Sequence, residues 1–201
     1  MFTKNNLIRL FFCKHQHGGK IVGIKFYTVS DEYIDYCRKI EKKVPKNVDE
    51  STGFKKPHIG IMIQNSEHNY FVPLTSNKER YDHFREDYTF HFIRDLSYID
   101  KQNPDNEKKI AGLRIGYMFP VPECALQPLE FNSIEDKEYK SLVWKEWIYC
   151  KENIGIIESK ANKLYNLVTK HKQFKNRCCD FKILEIRDLE FVYEKEEASK
   201  K

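Results

Sequence analysis

No two cysteines of this 201-residue chain form a Cys-x-x-Cys pair. Cys13, Cys37, Cys124, Cys150, Cys178 and Cys179 show neither zinc-ligand spacing nor a disulfide framework, so reduced thiols in a cytosolic protein are the expectation. No apolar run reaches the length of a membrane span. The phosphate-cradling GxxxxGKS/T and GxGxxG loops are absent, as are the HExxH metal motif and the GxSxG nucleophile elbow. Internal repeats and Pro/Ser-rich linkers are missing too. Neither sign of charge dominates. With 32% charged residues and a net charge of +5, nucleic-acid contact is permitted if the lysines gather on one face, and is not required.

What is present is a folding composition. Apolar residues make up 40% of the chain and aromatic residues 14%, enough for one domain with a sizeable core. Residues 1–23 read as an extension or an over-called leader. His17-Gly18-Gly19-Lys20 matches what a purine-rich ribosome-binding site would translate to, which places the start near Val22 to Lys25. A genuine extra strand is the alternative. Residues 24–195 then form the domain and 196–201 a solvated tail.

A β-rich run at 24–29 ends at Ser30, a good helix cap, and Tyr33, Ile34, Cys37 and Ile40 follow helical spacing. Strands at 57–64 and 70–74 flank a stretch of turn composition at 65–69. A further strand is expected over 88–96, an apolar run over 110–121 and a short strand over 124–131. Beyond 132 the period changes. Leu142, Val143, Trp147, Cys150 and Ile154 fit one helical stripe, Ala161, Leu164, Tyr165 and Val168 another, and 181–193 a short amphipathic helix. Trp144 and Trp147, three apart, read as core packing. Asp180, Glu185 and Asp188 read as a solvated helix face. The fold class is α+β, with a mostly antiparallel sheet before residue 132 and helices after it.

Tyr70-Phe71-Val72-Pro73-Leu74-Thr75-Ser76-Asn77-Lys78 reads as a buried strand with two hydroxyls and an ammonium at its end. A turn centred on Glu67 would pair Gly60 with Leu74, His58 with Ser76 and Lys56 with Lys78, each pair about 4.5–5.5 Å apart. Lys56, His58, Thr75, Ser76 and Lys78 would then share one open end. Two ammoniums and two hydroxyls without clustered carboxylates suit a substrate that is anionic throughout. Cleavage of RNA by its own 2′-OH needs a base, donors for the phosphorane oxygens and an acid for the leaving oxygen, and no metal. The same pattern also describes, and more commonly, a Thr-Ser turn with solvated lysines.

Several segments resemble the ToxN/AbiQ family of type III toxin–antitoxin endoribonucleases, over roughly residues 25–191. They are Lys25-Phe26-Tyr27-Thr28-Val29-Ser30, Lys56 with His58-Ile59-Gly60-Ile61, and Pro73-Leu74-Thr75-Ser76-Asn77-Lys78. Gly112-Leu113-Arg114 through Phe119-Pro120-Val121-Pro122, Tyr139-Lys140, and Lys160 through Cys179-Asp180-Phe181 with Leu184-Glu185 continue the series. The resemblance implies a strongly twisted antiparallel sheet with surrounding helices, similar to the MazF/Kid toxins. It implies metal-independent, sequence-selective cleavage leaving 2′,3′-cyclic phosphate, without a cofactor, in the bacterial cytoplasm. The implied partners are cellular mRNA as substrate and a small structured antitoxin RNA, cut by the toxin from its precursor and held in a closed toxin–RNA hetero-oligomer, with no membrane. By position, Lys56, Thr75, Ser76 and Lys78 fall on the active-site motif, with His58 and Thr52 as auxiliary candidates. Thr52, or Phe54 after a small shift, stands where the family can carry a tyrosine, and no tyrosine lies between Tyr36 and Tyr70 here. Lys55, Arg80, Lys172, Lys175 and Arg177 are the expected contacts to RNA backbone.

Overall fold

Ser30 stops one element and starts the next. It ends strand β1, Phe26–Val29, and its hydroxyl accepts the Tyr33 N–H at 3.3 Å to cap helix α1, Asp31–Arg38. Asp31 and Glu32 lie in the first turn of α1 and Arg38 in its last, each at the end the helix dipole favours. The computed structural model of the chain describes residues 25–48, 53, 55–61, 66–76, 84–98, 100–103 and 106–200.

The other strands are β2 (His58–Ile61), β3 (Tyr70–Ser76), β4 (His91–Arg94), β5 (Lys109–Leu113), β6 (Phe119–Pro120) and β7 (Leu126–Pro128). Every pairing is antiparallel, in the order β4-β5-β3-β2-β1-β7, with β6 beside the start of β3. The run over 110–121 is therefore two strands, interrupted by a 3-10 turn at Ile115–Tyr117. That interruption accommodates Pro73 in a central strand. The Pro73 carbonyl accepts from Arg114 N at 3.1 Å, and its missing N–H faces the gap between β5 and β6, where no ladder partner is required.

The β2–β3 register differs from the one expected from a turn at Glu67. Ile59 pairs with Val72, Ile61 with Tyr70, and His58 with Pro73 instead of Ser76, a slip of three residues. An odd slip exchanges faces. The observed register aligns buried Ile59, Ile61, Tyr70 and Val72 on one face, and Tyr70 there meets the rings of Tyr165 and Phe181. The other register would have set Ile59 against Thr75.

Helix α2 runs from Lys137 to Thr169, so the two apolar stripes beyond residue 132 belong to one helix of 33 residues. Asp136 caps it, accepting Tyr139 N at 2.8 Å. Helix α3, Phe181–Ala198, is capped by Asp180, which accepts Ile183 N at 3.2 Å. Glu185 and Asp188 are not on a solvated face. Both are 8% exposed, because they continue the inward stripe of Phe181 and Leu184. Glu185 Oε1 accepts from Tyr165 OH at 2.7 Å, Tyr70 OH at 3.0 Å and Ser66 Oγ at 3.0 Å, while Lys182 Nζ donates to Oε2 at 2.7 Å. Asp188 accepts from Tyr33 OH at 3.5 Å and meets His68 Nδ1 at 2.5 Å. These bonds fasten α3 to the start of β3 and to α1.

Glu146 on α2 is buried without such help. It is 4% exposed and forms no hydrogen bond or ion pair with the described residues. Burial pushes its carboxyl up to about 8. The group is thus protonated in the fold at neutral pH and ionised in the unfolded chain. Folding takes up a proton between the unfolded value, about 4.3, and the folded one, so stability falls as pH rises through that window. Glu146→Gln is expected to abolish this slope and raise stability by up to roughly 4–5 kcal/mol at pH 8. Urea unfolding at pH 5 and pH 8 measures it, and a variant that keeps the wild-type slope contradicts the protonated state.

Candidate active site

The mouth of the β2–β3 pair is built from the backbone. Pro57 O accepts Leu74 N at 2.9 Å, and continuing that register by one residue brings Lys56 level with Thr75. Lys56 is held on both sides. Its N–H donates to Asn47 O at 2.7 Å and its ammonium to Lys46 O at 2.9 Å. Asn47 is itself buried, donating to Val29 O at 2.7 Å and Asp31 Oδ1 at 2.6 Å, so this segment is fixed to the end of β1. Hydrogen bonds from Asn47 and Lys55 lower the Asp31 carboxyl, and Lys55 pairs with it at 3.0 Å.

Thr75 lies opposite Gly112 and Ser76 opposite Ala111. As neighbours in a strand they turn to opposite faces. Thr75 shares the face of Phe71, Pro73 and His58, and Ser76 shares the helix-covered face of Tyr70 and Val72. Beside Thr75 the absence of a side chain at Gly112 matters, because a Cβ there would stand 2.3 Å from Phe90 Cζ. The Phe90 ring thus lies against β5, edge to face with Phe92 at 5.0 Å and Phe84 at 5.2 Å. Thr75, with 6% exposure, sits next to this aromatic patch.

His58 is in the core, 1% exposed and edge-on to Phe119. Burial lowers its pKa to about 4; the Lys56 charge adds to that fall and a hydrogen bond with the Lys56 backbone opposes it. The ring is neutral at physiological pH, and its Nδ1 has no hydrogen-bond partner among the described residues. Thr52, Lys78 and Arg80 lie outside the described residues. Lys172, Lys175 and Arg177 lie in the loop between α2 and α3. In their loop Arg177 donates to Asp87 at 2.7 Å and to Thr89, the residue before Phe90, at 2.8 Å, and Cys179 N donates to Gly116 O at 2.9 Å.

Residues given no role from sequence come close instead. The Tyr139 hydroxyl donates to the Lys55 carbonyl at 3.3 Å, bringing a phenol from α2 to the lysine pair. Tyr27 on β1 pairs with His58 and stands edge-on to Phe71 at 5.3 Å; burial, and then the Glu123 charge, raise its pKa. The available signals were strand alternation for Tyr27 and the cap at Asp136, which fixes Tyr139 in the first turn of α2. Trp144 is not core, being 48% exposed with its ring stacked on Trp147.

A polar network braces β4 against α2. His91 Nδ1 lies 2.8 Å from both Lys160 Nζ and Glu86 Oε1, and its Nε2 lies 3.1 Å from the Tyr149 hydroxyl, which also accepts from Arg94 at 3.2 Å. Burial and the Lys160 charge lower His91 to about 4, so this ring too is neutral. Among the described residues no three His, Cys, Asp or Glu side chains gather as a metal ion would require, and no helix is long and apolar enough to cross a membrane.

A family model described as toxin ToxN of type III toxin–antitoxin systems matches residues 25–187. The chain is 35% identical over 176 residues to an endoribonuclease ToxN of Bacillus thuringiensis subsp. kurstaki, covering 83% of this chain and 84% of the relative. It is 29% identical over 186 residues to the endoribonuclease AbiQ of Lactococcus lactis subsp. lactis, covering 82% and 87%. A solved structure of a type III system, whose toxin is inhibited by a non-coding RNA pseudoknot, superposes with a TM-score of 0.69 at 31% identity, over 85% of this chain and 98% of the other. The structure of AbiQ, a lactococcal anti-phage endoribonuclease, gives 0.71 at 26% identity, over 85% and 99%. The class is thereby defined as an endoribonuclease built on a mixed helix and antiparallel-sheet fold. Within that class, the chain belongs to the ToxN toxin family of type III toxin–antitoxin systems.

Proposed function

We propose that this toxin cleaves RNA by metal-independent attack of the 2′-OH on the neighbouring phosphate, leaving 2′,3′-cyclic phosphate and a 5′-hydroxyl. The observation that carries the reading is Lys56, fixed by Asn47 and Lys46 and brought level with Thr75. Lys56 and Lys78 neutralise the scissile phosphate, Thr75 positions it from the face that Lys56 shares while Ser76 reaches it around the end of β3, and the Tyr139 hydroxyl supplies the phenol missing before Lys56. The inhibitor is a small structured RNA, cut by the toxin from its precursor and held in a closed toxin–RNA assembly. One structural relative is inhibited by an RNA pseudoknot, and another belongs to an antiviral system regulated by a processed non-coding RNA. The substrate is cellular mRNA in the bacterial cytoplasm, and the sheet is of the MazF/Kid kind. Incubating purified toxin with RNA in excess chelator, then identifying the ends by mass spectrometry, tests the chemistry. Cleavage to cyclic-phosphate ends is expected. Loss of cleavage in chelator, or 3′-hydroxyl ends, overturns the mechanism.

A further inference from the structure

Lys137, Lys140, Ser141 and Trp144 follow one another at helical spacing along a single ridge of α2, and Phe131 closes the far side. Together they line an open notch of about 350 Å³. The Trp144 and Trp147 rings are stacked 5.0 Å apart, 29° from parallel, and Phe131 stands edge-on to both at 5.4 and 6.1 Å. Over the ridge, Lys137 and Ser141 also line a second hollow of about 570 Å³ with Lys108, Lys109, Lys145 and the carboxylates Asp95 and Glu138. Lys145 is committed to Asp95 at 2.8 Å. The ammonium groups of Lys137 and Lys140 form no ion pair or hydrogen bond with the described residues. Tyr139, on the same turn, reaches the Lys55 carbonyl, so the notch lies close beside the segment that carries Lys56.

An apolar face rimmed by uncommitted ammoniums selects its occupant. A paired base cannot expose its face, and an aliphatic side chain would leave both charges unanswered. An unpaired nucleotide offers a π surface with phosphates on either side. We propose that the notch stacks one unpaired base of the RNA being cleaved on Trp144, with the flanking phosphates on Lys137 and Lys140. This rests on the endoribonuclease reading and adds a base-binding position outside the residues that act on the phosphate.

Trp144 and Trp147 are the chain's two tryptophans, so intrinsic emission reports on this place. The probe is a single-stranded 2′-O-methyl oligoadenylate of about eight nucleotides, which lacks the hydroxyl needed for cleavage, titrated against the full chain. Quenching of emission on binding is expected. Trp144→Ala should weaken binding about tenfold and Trp144→Tyr, which keeps a ring, by less than about threefold. Lys140→Ala should weaken binding and flatten its salt dependence. A duplex of the same length should leave emission unchanged. Thermal melts confirm that each variant is folded. Binding without quenching, wild-type affinity in Trp144→Ala, or equal quenching by the duplex overturns the proposal. If the wild-type chain cleaves RNA normally while emission stays unchanged, the notch is refuted and the nuclease reading stands.

Discussion

Replacing Lys56 by methionine is expected to slow RNA cleavage by about a hundredfold or more while leaving the melting temperature close to that of wild type. The reasons lie in how the side chain is held. Its backbone N–H is anchored on Asn47 O and survives the change, and methionine retains most of the apolar stem. What disappears is the ammonium, held on Lys46 O at 2.9 Å by a residue whose backbone continues the β2–β3 register level with Thr75. A fixed cation aimed at developing phosphorane charge has no solvent reorganisation to undergo, and removing such a group typically costs two to three orders of magnitude, about 3–4 kcal/mol. Lys56→Arg keeps the charge but enlarges and flattens the head, so partial activity is expected. Single-turnover cleavage with a melt on the same sample decides the matter, and rates within about threefold of wild type for Lys56→Met would remove this lysine from the chemistry.

Glu185→Ala is expected to have the largest effect on stability, roughly 3–5 kcal/mol. The change would strip the acceptor from Tyr70, Tyr165, Ser66 and Lys182 together, leaving an ammonium and two buried phenols to find other partners. Burial alone would raise this carboxyl, but hydrogen bonds from Lys182, Tyr165 and Ser66 hold it below its ordinary value. A depressed folded pKa gives stabilisation that is present above the unfolded value, about 4.3, and lost as pH falls through the folded one. Glu185 therefore destabilises the fold on acidification, the opposite sign to Glu146. Chemical unfolding at pH 7 and near pH 3 measures both parts. A Glu185→Gln variant as acid-sensitive as wild type would contradict the linkage. Because these bonds gather around the start of β3 and not at Thr75, cleavage by the folded fraction should survive.

Much of this arrangement was legible from residue types. The cap at Ser30, the buried run into Thr75 and the apolar stripes of α2 are local signals that report local structure. Register was not, because turn composition at 65–69 marks where the chain reverses without saying which apolar pairs share a face. That choice was made by the helices, which required Ile59, Ile61, Tyr70 and Val72 together on one side. The carboxylates of α3 read as solvated if charge is weighed above position, although 181, 184, 185 and 188 form one inward stripe. Trp144 shows the converse. An indole invites the word core, yet the turn of α2 that carries it faces outward beside Phe131. The approach of Tyr139 to Lys55 joins residues 84 apart in sequence, and no local pattern announces such a meeting.

Helix α2 fixes a distance as well as a fold. Its first turns bear Tyr139 and Trp144, and its last bear Tyr165, bonded to Glu185. Between them lies Gly155, around which an added Cβ would meet nothing, and Ile156, which is 53% exposed. Those two positions are thus open to substitution, while the span around them is closed to insertion or deletion. One residue added there would turn the two ends about 100° and 1.5 Å out of step, so that either the Lys55 contact or the Glu185 cluster would have to be given up. Related chains should vary freely at those two positions and hold the length of the span constant, so that α2 serves as a molecular ruler whose graduations are its ends.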